Sequence, residues 1–202
     1  MYFAEDNSLI TNAHERGVQQ WEPSLCQLSE TPLRQYPISV CMDANFGYAI
    51  SNDRHVRKFD LSTGETVDKW GGLDECKRHQ QLTLVDGSIC YCDPGNDQIV
   101  TIDLSDECAQ PIQKMALQNF RMPVFIANNT KHDKKTLIVS GLSGIGKFPQ
   151  CAGTSAPIWM RKIDRARGIC VDDRGLIYAA KVRPSAICAL SQKTGKSPNY
   201  TV

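Results

Sequence analysis

Gly141, Gly146 and Lys147 stand in G-x-x-x-x-G-K spacing within "TLIVSGLSGIGKFP" (Thr136 to Pro149), directly after an apolar run. In a phosphate-binding loop such glycines let backbone N–H groups wrap the anion, the lysine supplies charge, and the next Ser or Thr holds magnesium at a helix start. Here that next position is Phe148, Pro149 follows, and no helical period comes after it. The metal ligand and the helix N-terminus are both missing. The stretch reads as a glycine-rich loop between two strands, and no nucleotide is expected.

A second set could bind a soft cation. "CKRH" (Cys76 to His79) with Cys90 and Cys92 offers C-x2-H plus C-x-C, a donor set zinc accepts in a tetrahedron. Cys90, Tyr91 and Cys92 belong to a short apolar run, where cysteine packs as a small hydrophobe. No metal is therefore expected. Asp43, Asp86, Asp172 and Asp173 fall in tight turns, where aspartate caps backbone groups. The four histidines, His14, His55, His79 and His132, form no array with Ser and Asp. No catalytic residue is assigned, no cofactor is implied, and the chain is read as lacking catalytic activity.

Bulk properties narrow the choice little. A net charge of +1 over 202 residues argues for no nucleic-acid, membrane or acidic-substrate partner, and 41% hydrophobic content supports a packed core. Apolar runs fall short of the 18 or so residues a membrane span needs, and residues 1–12 lack a cationic and then apolar leader pattern. Nine cysteines is an odd count. With Cys41, Cys90, Cys92, Cys170 and Cys188 inside apolar runs, they are expected to be reduced packing residues of a cytoplasmic protein. Asn128 to Thr130 and Asn199 to Thr201 match the glycosylation pattern, which leaves secretion as the alternative.

The elements that must position these residues are strands. In "RARGICVDDRGLIYAA" (Arg165 to Ala180) two apolar runs flank a Gly-bearing turn, which predicts a hairpin. Ile38 to Gly71 has the same layout, extended to four runs. Cys41 and Cys170 occupy equivalent places, three repeats of about 43 residues apart. Leu82 to Met115 and Pro123 to Met160 fill the interval. Trp21, Trp70 and Trp159 are each expected in the last strand of a unit, with Met115 in the intermediate place. Four short strands per repeat, without an amphipathic helix between them, predict an all-β fold, a β-propeller. The units form one domain over residues 1–202, with blades at about 1–24 (partial), 36–71, 79–115, 120–160 and 165–202. The first blade is expected to start at its second strand. Incomplete ends predict a partial or open propeller of four to five four-stranded blades, part of a six-bladed ring, with a complete five-bladed ring as the alternative.

Residues Arg167 to Leu190, "RGICVDDRGLIYAAKVRPSAICAL", resemble the NHL-repeat pattern G-I-A-V-D-x-x-G-x-I-Y-V-A-D-x-x-N-x-R-I, and "SNDRHVRKFD" and "DPGNDQIVTID" are similar to its second half. Lys181 departs from it, standing where an acidic or Asn residue is usual. The resemblance, to tripartite-motif-like NHL propellers, implies a non-catalytic protein-interaction scaffold, possible substrate recognition for a ubiquitin-ligase-like protein, and a protein partner. Two alternatives stay open. One is a calcium-dependent hydrolase of the lactonase or gluconolactonase kind, the other an RNA-binding NHL module using Arg54, His55, Arg57, Lys58, Lys181 and Arg183. Recognition sites on loops over a rigid scaffold make the turns between second and third strands the candidate surface: Asn52, Asp53, Arg54, Asn96, Lys181 and Arg183.

Overall fold

The computed structural model describes residues 2–3, 9–13, 17–21, 27–31, 37–43, 45–51, 53, 55–70, 81–104, 112–128, 136–150, 153–164, 166–172, 174–181 and 185–197, those before residue 37 as backbone. The chain divides into two compact units, Met1–Leu84 and Val85–Val202.

In the first unit, β1 (Tyr2–Phe3), β2 (Leu9–Ala13), β3 (Gly17–Trp21) and β4 (Gln27–Thr31) form one sheet in that order. Trp21 therefore lies in a third strand, not the expected last one, and the sheet begins at a first strand. A two-residue strand carries no period to read, and the polar β4, "QLSET", has no apolar run to announce it. The second sheet follows expectation: β5 (Pro37–Met42), β6 (Phe46–Ser51), β7 (Val56–Asp60) and β8 (Thr66–Trp70), with Trp70 in the last strand. Val40, Met42, Ala49 and Phe59 make its core. Gly47 is required there, because a Cβ would lie 2.1 Å from the Phe59 ring.

The chain passes into the second unit within β9 (Leu82–Val85), which pairs in one sheet with β10 (Ser88–Asp93), β11 (Gln98–Asp103) and β12 (Ile112–Leu117). Asp86 and Gly87, at φ 48° and 75°, make the two-residue turn between β9 and β10 that suits the right-handed strand twist. Next come β13 (Pro123–Ala127), β14 (Thr136–Gly141), β15 (Gly144–Pro149) and β17 (Trp159–Arg161). The connection from β15 to β17 was not foreseen: it forms β16 (Gly153–Ser155), which pairs in parallel with β12 of the preceding sheet. That addition covers an edge which would otherwise be open to pairing. The last sheet is β18 (Ala166–Val171), β19 (Leu176–Lys181) and β20 (Ala186–Ser191), three strands among the described residues. Cys170 pairs with Tyr178, as the hairpin expected over Arg165 to Ala180 requires.

Within the second unit the cores lie between successive sheets. Cys90, Cys92, Ile99 and Met115 pack with Ile126, Leu137, Val139 and Phe148. Ile138 and Ile145 pack with Ile169, Ile177, Ala179 and Leu190. Burying each large side chain stabilises by about 1.5–3 kcal/mol, and no sheet could bury these faces alone. The first strands β5, β13 and β18 each carry a register shift near their second residue, a repeat feature that residue types do not reveal.

Candidate recognition surface

The candidate surface consists of the turns between second and third strands. Asn52, Arg54 and Arg183 lie outside the described residues. Asp53 belongs to the first unit, Asn96 and Lys181 to the second.

β7 places Arg57 four residues beyond Asp53, close enough across the turn for a two-pronged contact. Arg57 Nη1 donates to Asp53 Oδ1 at 2.7 Å, and Nη2 donates to Oδ2. The Arg57 side chain is only 10% exposed against 34% for Asp53, so the pair is sheltered on one side. His55 Nδ1 lies 2.9 Å from the Asp53 carbonyl oxygen and 3.4 Å from its Oδ2. The Arg57 hydrogen bonds hold the Asp53 carboxyl below the usual carboxylate range, against the opposing effect of partial burial. Lys58, next along the strand, has its Nζ 4.0 Å from the Phe46 ring centroid, a cation–π contact. Of the basic residues read as an RNA surface, Arg57 is therefore buried against a carboxylate and Lys58 lies over an aromatic ring.

The β10–β11 turn is closed in another way. Asp93, 6% exposed, accepts at Oδ2 from Asn96 Nδ2 (2.9 Å) and Gln98 Nε2 (2.7 Å). Asn96 thus holds its own turn together. Lys181 ends β19 opposite Ala166 and Ala186 and is half-buried.

The β14–β15 turn, Leu142–Ser143, differs. Leu142 is 59% exposed, and its N–H donates to the Arg121 carbonyl at 3.0 Å. The Arg121 N–H donates to Ser143 Oγ at 2.9 Å. Met122, 37% exposed at φ 47°, donates its N–H to Asp97 Oδ1 at 2.6 Å. Sequence reading passed over Leu142 and Met122. The available signal was a leucine in a two-residue hairpin turn, where polar residues are usual.

At the other end of the hairpins, aspartates cap turns as expected. Asp43 Oδ1 accepts the N–H groups of Asn45 and Phe46, and Tyr48 Oη donates to its Oδ2 at 2.8 Å. Asp172 Oδ1 accepts from Arg174 and Leu176, and Oδ2 from Tyr178 Oη and the Arg174 guanidinium. Burial pushes both carboxyls up, but these donors outweigh it and hold them below the usual range. Asp86 forms its turn through a positive φ, and Asp173 lies outside the described residues.

The G-x-x-x-x-G-K stretch is a hairpin. Gly141 pairs with Gly144, Gly146 with Val139, and buried Lys147 with Ile138 and Trp159. The expected glycine-rich loop is only two residues long, because Gly146 sits inside β15, where a Cβ would meet the Phe148 ring at 2.7 Å.

Cys76 and His79 lie outside the described residues. Cys41, Cys90 and Cys92 are buried thiols outside any disulfide, in line with the packing expectation. Burial pushes the Cys90 thiol up to about 11, so it stays protonated beside Thr101 Oγ1 at 3.4 Å. Cys170 and Cys188 correct the packing expectation: the first is exposed, on the face of β18 opposite to buried Ile169, and the second lies on the same face of β20 as Leu190, opposite Ala179, but is only partly buried. Among the described residues no group of three or more His, Cys, Asp or Glu could hold a metal ion, and no helix is long and apolar enough to cross a membrane.

A chain in the crystal structure of the mitotic checkpoint complex, a WD40 propeller, is similar to 96% of this chain with a TM-score of 0.68 and 14% sequence identity. The match covers 60% of that chain, so this chain spans less than two thirds of the solved propeller. At that identity the likeness shows the fold, a partial β-propeller. No family model matches the sequence, and no curated protein matches it.

Proposed function

We propose that this chain is a non-catalytic protein-interaction scaffold, a cytoplasmic propeller segment of the NHL-repeat kind forming one domain, whose turns between second and third strands recognise a protein partner. The observation that carries the reading is the pre-organisation of these turns. Arg57 braces Asp53, Asn96 braces Asp93, and Ser143 braces Arg121. A surface already held in its bound shape loses little freedom on association, so weak contacts suffice for affinity. The similar chain comes from a multiprotein complex, which fits a binding role. On the NHL reading, the bound protein is a substrate recruited for a ubiquitin-ligase-like activity carried outside these residues.

The test is chemical cross-linking and capture with the full chain and with the Arg54→Glu/Arg183→Glu variant. Loss of one defined partner supports recognition through these turns, and unchanged capture removes them. A calcium titration followed by melting distinguishes the hydrolase alternative. A cation bound to the native state raises the melting temperature, whereas a scaffold without a channel cation shows no shift.

A further inference from the structure

We propose that Leu142 and Met122, flanked by Arg121, Arg161 and Lys162, form a docking surface for an acidic peptide carrying a large apolar side chain. The inference rests on the scaffold reading and names the partner's chemistry.

Four observations lead there. The second-to-third-strand turns that carry Asp53 and Asn96 have those polar side chains engaged internally, whereas the β14–β15 turn presents a leucine that is 59% exposed. Met122 adds a second exposed apolar side chain from the neighbouring β12–β13 connection, which hydrogen-bonds to the turn on both sides of Arg121. That connection is held rigidly. Phe120 is 1% exposed and meets Phe148 edge to face, while the Asp97 carboxylate fixes Met122 in its left-handed conformation. Finally, β17 brings Arg161 and Lys162 against the other side of the same turn, since a Cβ on Gly144 would touch the Arg161 carbonyl oxygen at 2.2 Å and the Lys162 Cα at 3.0 Å.

The charges decide the occupant. Arg121, Arg161 and Lys162 are exposed, and no ion pair engages them among the described residues. Asp164 is the exposed acid next along the chain. The Asp97 carboxylate already accepts the Met122 N–H. Three cations around two apolar side chains match carboxylates spaced about an aliphatic or aromatic anchor. An anchor that becomes fully desolvated on binding, with surrounding contacts that exclude water, is where binding energy concentrates. RNA fits less well. Phosphate needs no exposed leucine and methionine, and the aromatic platforms on which successive bases stack are absent from these five residues, which leaves only the two arginines to stack.

The experiment screens the full chain against an array of short random peptides and then measures selected peptides by fluorescence anisotropy. The expected selection is acidic with one large apolar residue. Leu142→Ser should weaken it by about tenfold. Arg121→Glu/Arg161→Glu should abolish it, with melting temperature and circular dichroism unchanged. Met122→Ala gives a second apolar test that does not alter the turn itself. Selection of basic peptides, no selection at all, or selection indifferent to all three variants overturns the proposal. So does single-stranded RNA displacing the peptide and binding equally well to Leu142→Ser. If selected peptides instead lose affinity with Arg54→Glu/Arg183→Glu, this surface fails while the scaffold reading stands.

Discussion

Two turns in equivalent places of their sheets, β6–β7 in the first unit and β14–β15 in the second, solve the same connection with opposite chemistry. The β6–β7 turn is polar and closed on itself: Asp53 receives both prongs of Arg57, with His55 alongside. The β14–β15 turn is short, leaving Leu142 exposed while the Leu142 N–H donates to the Arg121 carbonyl and the Ser143 hydroxyl accepts from the Arg121 N–H. A charged loop is therefore not by itself a binding loop. Asp53 and Arg57 answer each other, whereas a partner that covers Leu142 gains apolar burial without breaking a contact already made.

The largest expected effect lies beneath the β14–β15 turn. Phe148→Ala removes the ring that meets Phe120 and leaves a cavity in a fully buried site. Equilibrium urea unfolding should show a loss of about 3–5 kcal/mol. A loss below about 1 kcal/mol would mean that the Phe120 anchor does not depend on this packing.

Next comes the polar turn. Arg57→Met leaves Asp53 without its guanidinium, but Asp53 is 34% exposed and water replaces part of the contact. The cost should be about 1–2 kcal/mol by the same measurement. Adding Asp53→Asn should recover part of it, because no unpaired carboxylate remains. An undiminished cost in the double variant would make Arg57 a packing residue and weaken the contrast between the turns.

Acid should act on the capped carboxylates. Asp43, Asp53 and Asp172 are held below their ordinary value in the folded chain. Their stabilisation is therefore full above the unfolded pKa of about 4 and is lost as pH falls through the lower folded values. Melting temperature should hold between neutrality and about pH 5 and fall steadily below about pH 4. Tyr48→Phe, which removes one donor to Asp43, should cost about 1 kcal/mol near neutrality and less in acid. A melting temperature that rises in acid would contradict the capping geometry.

The smallest effect is expected at Leu142 itself. Leu142→Ser should change stability by less than about 0.5 kcal/mol, as at other exposed positions. A larger loss would show that the side chain supports the fold and is not held out for a partner.

Much of the fold was legible because strands and turns are local. The hairpin Ala166–Lys181, the Asp43 and Asp172 caps, and last-strand places for Trp70, Met115 and Trp159 all follow from alternation and turn residues in short windows. Trp21 failed because Tyr2–Phe3 is too short and Gln27–Thr31 too polar to show a period. Strand β16 failed because its pairing partner lies in another sheet. Among the candidate site residues, the turns bearing Asp53 and Asn96 were readable, but the engagement of their side chains was not.

By itself the sequence determined a chain of repeated four-stranded sheets with aspartate and glycine at their turns, because periodicity and backbone preference act over a few residues. Tertiary structure alone decided which side chains remain available. The bonds joining Arg121 to Ser143 and Met122 to Asp97 link residues more than twenty apart in the chain. Exposure and hydrogen bonding depend on such neighbours, and they become neighbours only once the sheets have packed.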